Sequence, residues 1–96
     1  MALRFEWDED KAASNRSKHG VTFDEASTVF ADPLAVIFDD EEHSQGEIRE
    51  VMVGHSVLQR LLLVSFTERG DDLIRIISAR QATKRERKDY EKGTRR

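Results

Sequence analysis

The chain has 96 residues, of which 38% are hydrophobic and 36% are charged, so it has the size of one domain with a small core. It contains no cysteine, which excludes disulfides, thiolate metal sites and cysteine nucleophiles. Residues 1–10 are acidic, and no apolar run approaches the ~20 residues that cross a bilayer. We therefore expect a soluble, cytoplasmic protein that makes no membrane contact.

The net charge of −3 conceals two halves of opposite sign. Residues 1–50 contain 5 Lys and Arg against 13 Asp and Glu, whereas residues 51–96 contain 11 against 6. The overall balance argues against a nucleic-acid-binding protein. The basic second half nevertheless suggests a polyanionic partner for that end of the chain.

The chain begins with a predicted strand and helix. Residues 3–7 alternate between apolar and charged, as in a short strand with one buried face. Asp8 is a typical N-cap residue for a helix that runs to about Lys18. Gly20 has the position of a glycine that ends a helix.

Two further helices are predicted from capping boxes, in which Thr is followed three residues later by Glu. These boxes are residues 22–25 and residues 83–86. The helix that starts at the first box ends before Pro33. The helix that starts at the second runs to about Glu91, and Gly93 ends it.

Four segments between these helices have the length and pattern of strands. They are residues 34–38, 48–56, 61–67 and 73–78. An acidic loop, residues 39–46, separates the first two, and residues 68–72 are predicted to form a hairpin turn. Consecutive strands with short links predict an antiparallel sheet with helices packed on it, which is an α+β fold. The pattern does not settle whether the opening strand joins this sheet.

The last predicted helix is the most basic segment, since residues 84–96 contain seven Lys and Arg against three acidic residues. One interpretation is a solvated helix held by charge pairs. The other is a cationic surface for phosphates that includes Lys84, Arg87 and Lys88. Tyr90 would then stack on a base, or else it anchors the helix on the sheet. Glu86, one turn earlier, would transfer a proton, or else it serves as the capping carboxylate.

Three more residues are candidates for work on a phosphodiester. Arg80 follows the last predicted strand, where an arginine can hold a phosphate with two hydrogen bonds or pair with a surface carboxylate. Lys18 and His19 end the first helix, where the helix dipole favours cations. Histidine also exchanges protons readily near neutral pH, so His19 is a candidate acid or base. His55 and His43 are weaker candidates.

Metal and cofactor sites are not predicted. The three histidines are far apart in the sequence and no HExxH motif is present, so nothing indicates a metal site. No glycine-rich phosphate loop occurs, so no nucleotide cofactor is expected. The acidic residues 39–42 lack the pattern of a calcium loop.

Several segments occur together in the order and spacing of a known family. They are Phe5-Glu6-Trp7-Asp8, Lys18-His19-Gly20-Val21-Thr22-Phe23, Phe30-Ala31-Asp32-Pro33, Ile76-Ile77-Ser78-Ala79-Arg80-Gln81-Ala82-Thr83, Glu86-Arg87 and Tyr90-Glu91. As an ordered set that extends from Phe5 to Glu91, they resemble the BrnT toxin family.

The resemblance implies a RelE-like fold, a small antiparallel sheet with two N-terminal helices and one C-terminal helix, in a single ribonuclease-toxin domain over residues 1–96. It implies a bacterial type II toxin that cleaves RNA without a metal and inhibits translation. The implied partners are RNA and a BrnA-type antitoxin. The toxin would contact promoter DNA only as part of the toxin–antitoxin complex. A toxin homodimer is also expected within that complex.

The resemblance also selects polar residues. They are Lys18, His19, Arg49, Glu68, Arg80, Glu86 and Tyr90. We assign His19 as acid or base, with Glu86 as the alternative, and Arg80 with Lys18 as phosphate ligands. Arg49 is assigned to RNA binding. The alternative function is a non-catalytic module that binds nucleic acid or protein and leaves RNA intact.

Overall fold

A computed structural model describes residues 2–43 and 46–94. Its strands and helices follow the predicted order, so the α+β prediction is confirmed. They are β1 (Arg4–Glu6), α1 (Glu9–His19), α2 (Phe23–Thr28), a 3₁₀ turn (Val29–Ala31), β2 (Val36–Asp39), a second 3₁₀ turn (Glu41–His43), β3 (Glu50–His55), β4 (Leu61–Gly70), β5 (Leu73–Gln81) and α3 (Lys84–Thr94). None of these helices is both long and apolar enough to cross a bilayer.

The five strands form one sheet in the order β1-β5-β4-β3-β2. The opening strand joins this sheet and runs parallel to β5, while the other neighbours are antiparallel. The prediction of an antiparallel sheet therefore holds for four strands, and β1 adds one parallel pair.

The two faces of the sheet differ. Helices α1 and α2 cover one face, which we call the covered face, and bury the main core against it. This core contains Val21, Phe23, Ala26, Val29, Met52, Leu62, Val64, Phe66, Ile74, Ile76 and Ala79. On the other face, which we call the open face, a smaller cluster of Val53, Leu61 and Tyr90 is buried where α3 crosses.

The predicted helix signals are largely confirmed. The Asp8 side chain accepts from the Lys11 amide, and Gly20 ends α1 with a left-handed φ of 66°. In the box at residues 83–86 each side chain bonds the backbone N–H of the other residue. Helix α3 continues through Gly93 to Thr94, so the predicted end at about residue 91 was wrong. Glycine costs a helix only ~1 kcal/mol and does not by itself end it.

The hairpin between β4 and β5 is tighter than predicted. Gly70 pairs with Leu73, so the turn is residues 71–72 rather than 68–72. Asp72 adopts a φ of 59°, a conformation that Asp tolerates better than most residues. Both strands are longer as a result, and β5 reaches Gln81.

A bulge in β5 decides which side chains face the open face. Ser78 pairs with Ser65, but Ile76 pairs with the next residue of β4, Phe66, so Ile77 is an extra residue. A strict alternation from Ile76 would point Ser78 and Arg80 into the core. The bulge reverses the alternation, and both side chains reach the open face.

Candidate active site

Helix α3 crosses the open face and Tyr90 anchors it there. The Tyr90 side chain is only 8% exposed, its hydroxyl donates to the Leu34 carbonyl at 3.1 Å, and its ring meets that of His55 edge-on at 5.8 Å. Burial, with the nearby Asp32 carboxylate, raises the pKa of Tyr90. The ring is therefore an anchor with little surface left for stacking on a base.

Beside α3 the open face forms a groove made of two adjoining cavities, which share Val51 and Leu63 as their floor. The larger, about 540 Å³, is mostly apolar and lies between α3 and strands β2, β3 and β4. The smaller, about 380 Å³, lies over β4 and β5. We call the whole the open-face groove.

The smaller cavity holds the polar groups. Its lining includes His19 from the end of α1, Asp40 from the loop after β2, Ser65 from β4, and Ser78 and Arg80 from β5. The structure thus brings together His19 and Arg80, which are 61 residues apart in the sequence. A histidine, an arginine and two hydroxyls around one depression can hold a phosphate and exchange a proton with a neighbouring hydroxyl.

Arg80 is held by Glu86 through two parallel hydrogen bonds. Arg80 Nη1 and Nη2 donate to the two carboxylate oxygens of Glu86, each at 2.8 Å, and Nη1 also reaches the Gln81 carbonyl at 3.3 Å. A guanidinium has five N–H donors, so Nε–H and one Nη2–H remain for a phosphate. The Arg80 guanidinium, with the Thr83 amide, lowers the pKa of Glu86 to about 2.

Asn15 ties α1 to the strand that carries Arg80. Its side chain is buried, donates to the Ala79 carbonyl at 2.8 Å and accepts from the Ala79 amide at 3.0 Å. It also donates to the Val21 carbonyl at 3.0 Å. Because β1 pairs only with residues 73–75 of β5, Asn15 occupies the strand edge at Ala79. One helical turn beyond Asn15 is His19, so these bonds set its position relative to Arg80.

The predicted RNA-binding cations are distributed over different surfaces. Lys84, Arg87 and Lys88 are exposed on α3 but lie away from its groove-lining residues, which are Glu86, Asp89, Tyr90 and Gly93. Arg49 precedes β3 and Glu68 lies near the end of β4, both outside the groove lining. Lys18 is exposed beside His19. The RNA-binding roles of these residues stay predictions.

Other groove residues escaped the sequence analysis. None of these is a cation of α3: Arg85 and Lys92 lie one turn before and after Asp89 by helical spacing, but neither lines a cavity of the groove. Ser65 lies in no motif, and Ser78 lies in the family-like segment 76–83 but is not among the polar residues that the resemblance selects. His55 lines a separate depression with Asp32, and the His43 side chain lies outside the described residues.

Comparison with known proteins decides the family. Residues 7–86 match the family model described as the ribonuclease toxin, BrnT, of type II toxin–antitoxin systems. The chain belongs to the BrnT family. The crystal structure of the Brucella abortus ribonuclease toxin BrnT superposes with a TM-score of 0.66 at 24% identity, over 86% of this chain and all of that one. No curated protein matches by sequence.

The structural match shows a shared fold, and the family match supports the predicted activity. BrnT proteins are ribonuclease toxins of type II systems, so an RNA substrate and an antitoxin partner accompany membership of this family. Within residues 2–43 and 46–94, no three side chains of the metal-binding types converge.

Proposed function

We propose that this BrnT-family protein is a metal-independent endoribonuclease that inhibits translation in the cytoplasm and is neutralised by a BrnA-type antitoxin. The chain would act as a single domain, and its contact with promoter DNA would be made by the antitoxin. The observation that carries the proposal is the meeting of His19 and Arg80 in the open-face groove.

The proposed reaction uses the substrate's own 2′-hydroxyl as the nucleophile. His19 takes the 2′-hydroxyl proton while this oxygen attacks the adjacent phosphorus. The bond to the 5′-oxygen breaks, and that oxygen takes a proton from the imidazolium or from water. Arg80 and Lys18 stabilise the negative charge on the phosphorane. The products are a 2′,3′-cyclic phosphate and a 5′-hydroxyl, and no step needs a metal.

Glu86 fits this scheme as a positioning residue. Its pKa of about 2 and its bonds to Arg80 and Thr83 make it a poor proton acceptor at neutral pH. The two parallel hydrogen bonds fix the plane of the Arg80 guanidinium instead. This geometry favours His19 over Glu86 as the group that moves the proton.

The proposal is tested by incubating purified protein with RNA in EDTA, with and without ribosomes. His19→Ala should lower the cleavage rate at least ~100-fold, the usual size of an acid–base contribution. His55→Phe removes an imidazole from the separate depression, keeps a ring against Tyr90, and should leave the rate within about twofold. In a cell-free system, the wild type should stop protein synthesis and His19→Ala should not.

Three results would count against the proposal. RNA that stays intact in EDTA but is cut when a divalent metal is added would contradict metal independence. Salt-dependent binding without fragments would favour the non-catalytic module. Equal losses for His19→Ala and His55→Phe would contradict a role for His19 in the reaction.

A further inference from the structure

Strand β2 is an edge strand with an unusually apolar surface. It pairs with β3 on one side only, and Val36, Ile37 and Phe38 are 37%, 52% and 56% exposed. Soluble proteins usually protect such edges with charge, proline or a covering segment, because an exposed apolar edge pairs with other chains. The described part of the chain leaves this edge uncovered.

The free backbone groups of β2 can be assigned from its pairing. The Asp40 amide donates to the Arg49 carbonyl at 2.9 Å. Hydrogen-bonded and non-hydrogen-bonded pairs alternate along an antiparallel ladder, so the amides of Phe38 and Val36 also face β3. The N–H and C=O groups of Ile37 and Asp39 therefore face outward, available to another strand.

The open-face groove continues directly from this edge. Val36 and Phe38 line its larger cavity, while Ile37 faces the opposite side of the sheet. A strand added beside β2 would place alternate side chains next to Val36 and Phe38, within the apolar cavity. The floor of that cavity, Val51 and Leu63, is shared with the cavity of His19 and Arg80.

The C-terminal end of β2 is acidic. Exposed Asp39, Glu41 and Glu42 lie there, and the α3 side of the groove adds the carboxylate of Asp89. A complementary segment would therefore carry basic residues at the end beside residues 39–42 and apolar residues at alternate positions in the middle.

We propose that the antitoxin neutralises this protein by adding a strand of that chemistry to the free edge of β2, with its apolar side chains in the open-face groove. The inference rests on the proposed function, since it names the partner of the same site. The added strand closes the groove beside His19 and Arg80, so RNA and antitoxin compete for one surface. Backbone pairing supplies affinity and the groove supplies selectivity.

The test uses Ile37→Pro against Ile37→Val, with the protein encoded by the adjacent reading frame as the probe. Proline at residue 37 removes an outward-facing N–H without breaking a bond to β3. We expect Ile37→Pro to weaken the complex at least ~10-fold and Ile37→Val to bind like the wild type. In cells that co-express the probe, only the proline variant should remain toxic.

Residue-resolved hydrogen exchange gives a second readout that does not depend on how well a variant folds. In the wild type, the Ile37 and Asp39 amides should exchange freely and become protected in the complex. Their free exchange in the complex, or failure of the probe to bind, would overturn the proposal. Protection that grows with the concentration of the protein alone would show that a second copy, not the antitoxin, pairs with β2.

RNA cleavage by the free protein is measured separately. Ile37 does not line the groove, so the proline variant should cleave RNA at the wild-type rate. If the wild type and Ile37→Pro both cleave RNA and bind the probe equally well, the docking site is refuted and the nuclease proposal stands. If binding depends on residue 37 but the wild type cleaves no RNA, the nuclease proposal alone is refuted.

Discussion

At the residue scale, neighbouring charges decide which candidate can move a proton. The sequence analysis assigns His19 as acid or base with Glu86 as the alternative, but Glu86 receives two hydrogen bonds from Arg80 and one from the Thr83 amide. These bonds stabilise its ionised form. His19 lines the cavity from an exposed position at the end of α1, where it can meet a substrate.

The Arg80–Glu86 pair should contribute stability that depends on pH. Because the folded pKa of Glu86 is lowered from 4.5 to about 2, its contribution is complete above about pH 4.5 and is lost as pH falls towards 2. Glu86→Gln should lower the free energy of unfolding by about 1 kcal/mol at pH 7, since the pair is partly exposed. Urea unfolding of variant and wild type should converge near pH 2.

Glu41→Gln is the matched control, because it removes the same charge from the exposed loop after β2. Its difference from the wild type should be small and should lack the loss of stability between pH 4.5 and 2. A Glu86→Gln difference that stays constant over this range would contradict the assigned pKa shift.

At the element scale, the helix caps could be predicted from the sequence, whereas the contacts between distant segments could not. The caps at Asp8, Thr22 and residues 83–86 follow from side chains that bond nearby amides. The side chain of Glu25, in contrast, does not complete the predicted capping box. It accepts hydrogen bonds from Arg60 and Ser56, which lie 35 and 31 residues away in the sequence. The bulge at Ile77, which exposes Arg80, depends on register with β4 and leaves no mark in the sequence.

The packing of the segment before β2 over β3 makes a prediction about Gly54. A Cβ at Gly54 would lie 2.8 Å from the Ala35 Cβ and 3.0 Å from both Asp32 Oδ2 and Val29 Cγ1. Gly54→Ala should therefore destabilise the protein by about 1–3 kcal/mol. The midpoint of urea unfolding measures this loss.

Gly93→Ala is the opposite case on α3. Nothing lies within 4 Å of its added Cβ, and alanine favours a helix, so the variant should be more stable by about 0.5–1 kcal/mol. If both alanine variants were equally tolerated, the close packing of residues 32–35 against β3 would be refuted.

At the scale of the whole molecule, the acidic and basic halves meet in the groove. Asp40 reaches the cavity of Arg80, and Glu86 already neutralises that arginine. By helical spacing, Arg85 and Lys92 lie next to the groove-lining Asp89 on α3, whereas Lys84 and Lys88 lie on the opposite side of the helix. A net charge of −3 is therefore compatible with an RNA site, because binding depends on local charge.

This arrangement predicts a difference between two pairs of cations. Arg85→Gln with Lys92→Gln should lower the slope of log affinity against log salt by about 1.4 for single-stranded RNA, as expected for two lost phosphate contacts. Lys84→Gln with Lys88→Gln changes the net charge equally and should have a smaller effect. The salt dependence of binding is measured for both double variants with a 2′-O-methyl RNA, because this RNA has no free 2′-hydroxyl and cannot be cleaved by the proposed route. If the two double variants have equal slopes, the RNA does not bind along the groove.

The position of β5 in the sheet has a consequence for the order of synthesis. β5 lies between β1 and β4 although both of them are made before it, and it carries both Arg80 and the Ala79 backbone that holds Asn15. A growing chain that has not yet released β5 cannot place His19 beside Arg80. Chains that terminate before β5 are therefore expected to be inactive, and the nascent protein should cleave no RNA until β5 has left the ribosome.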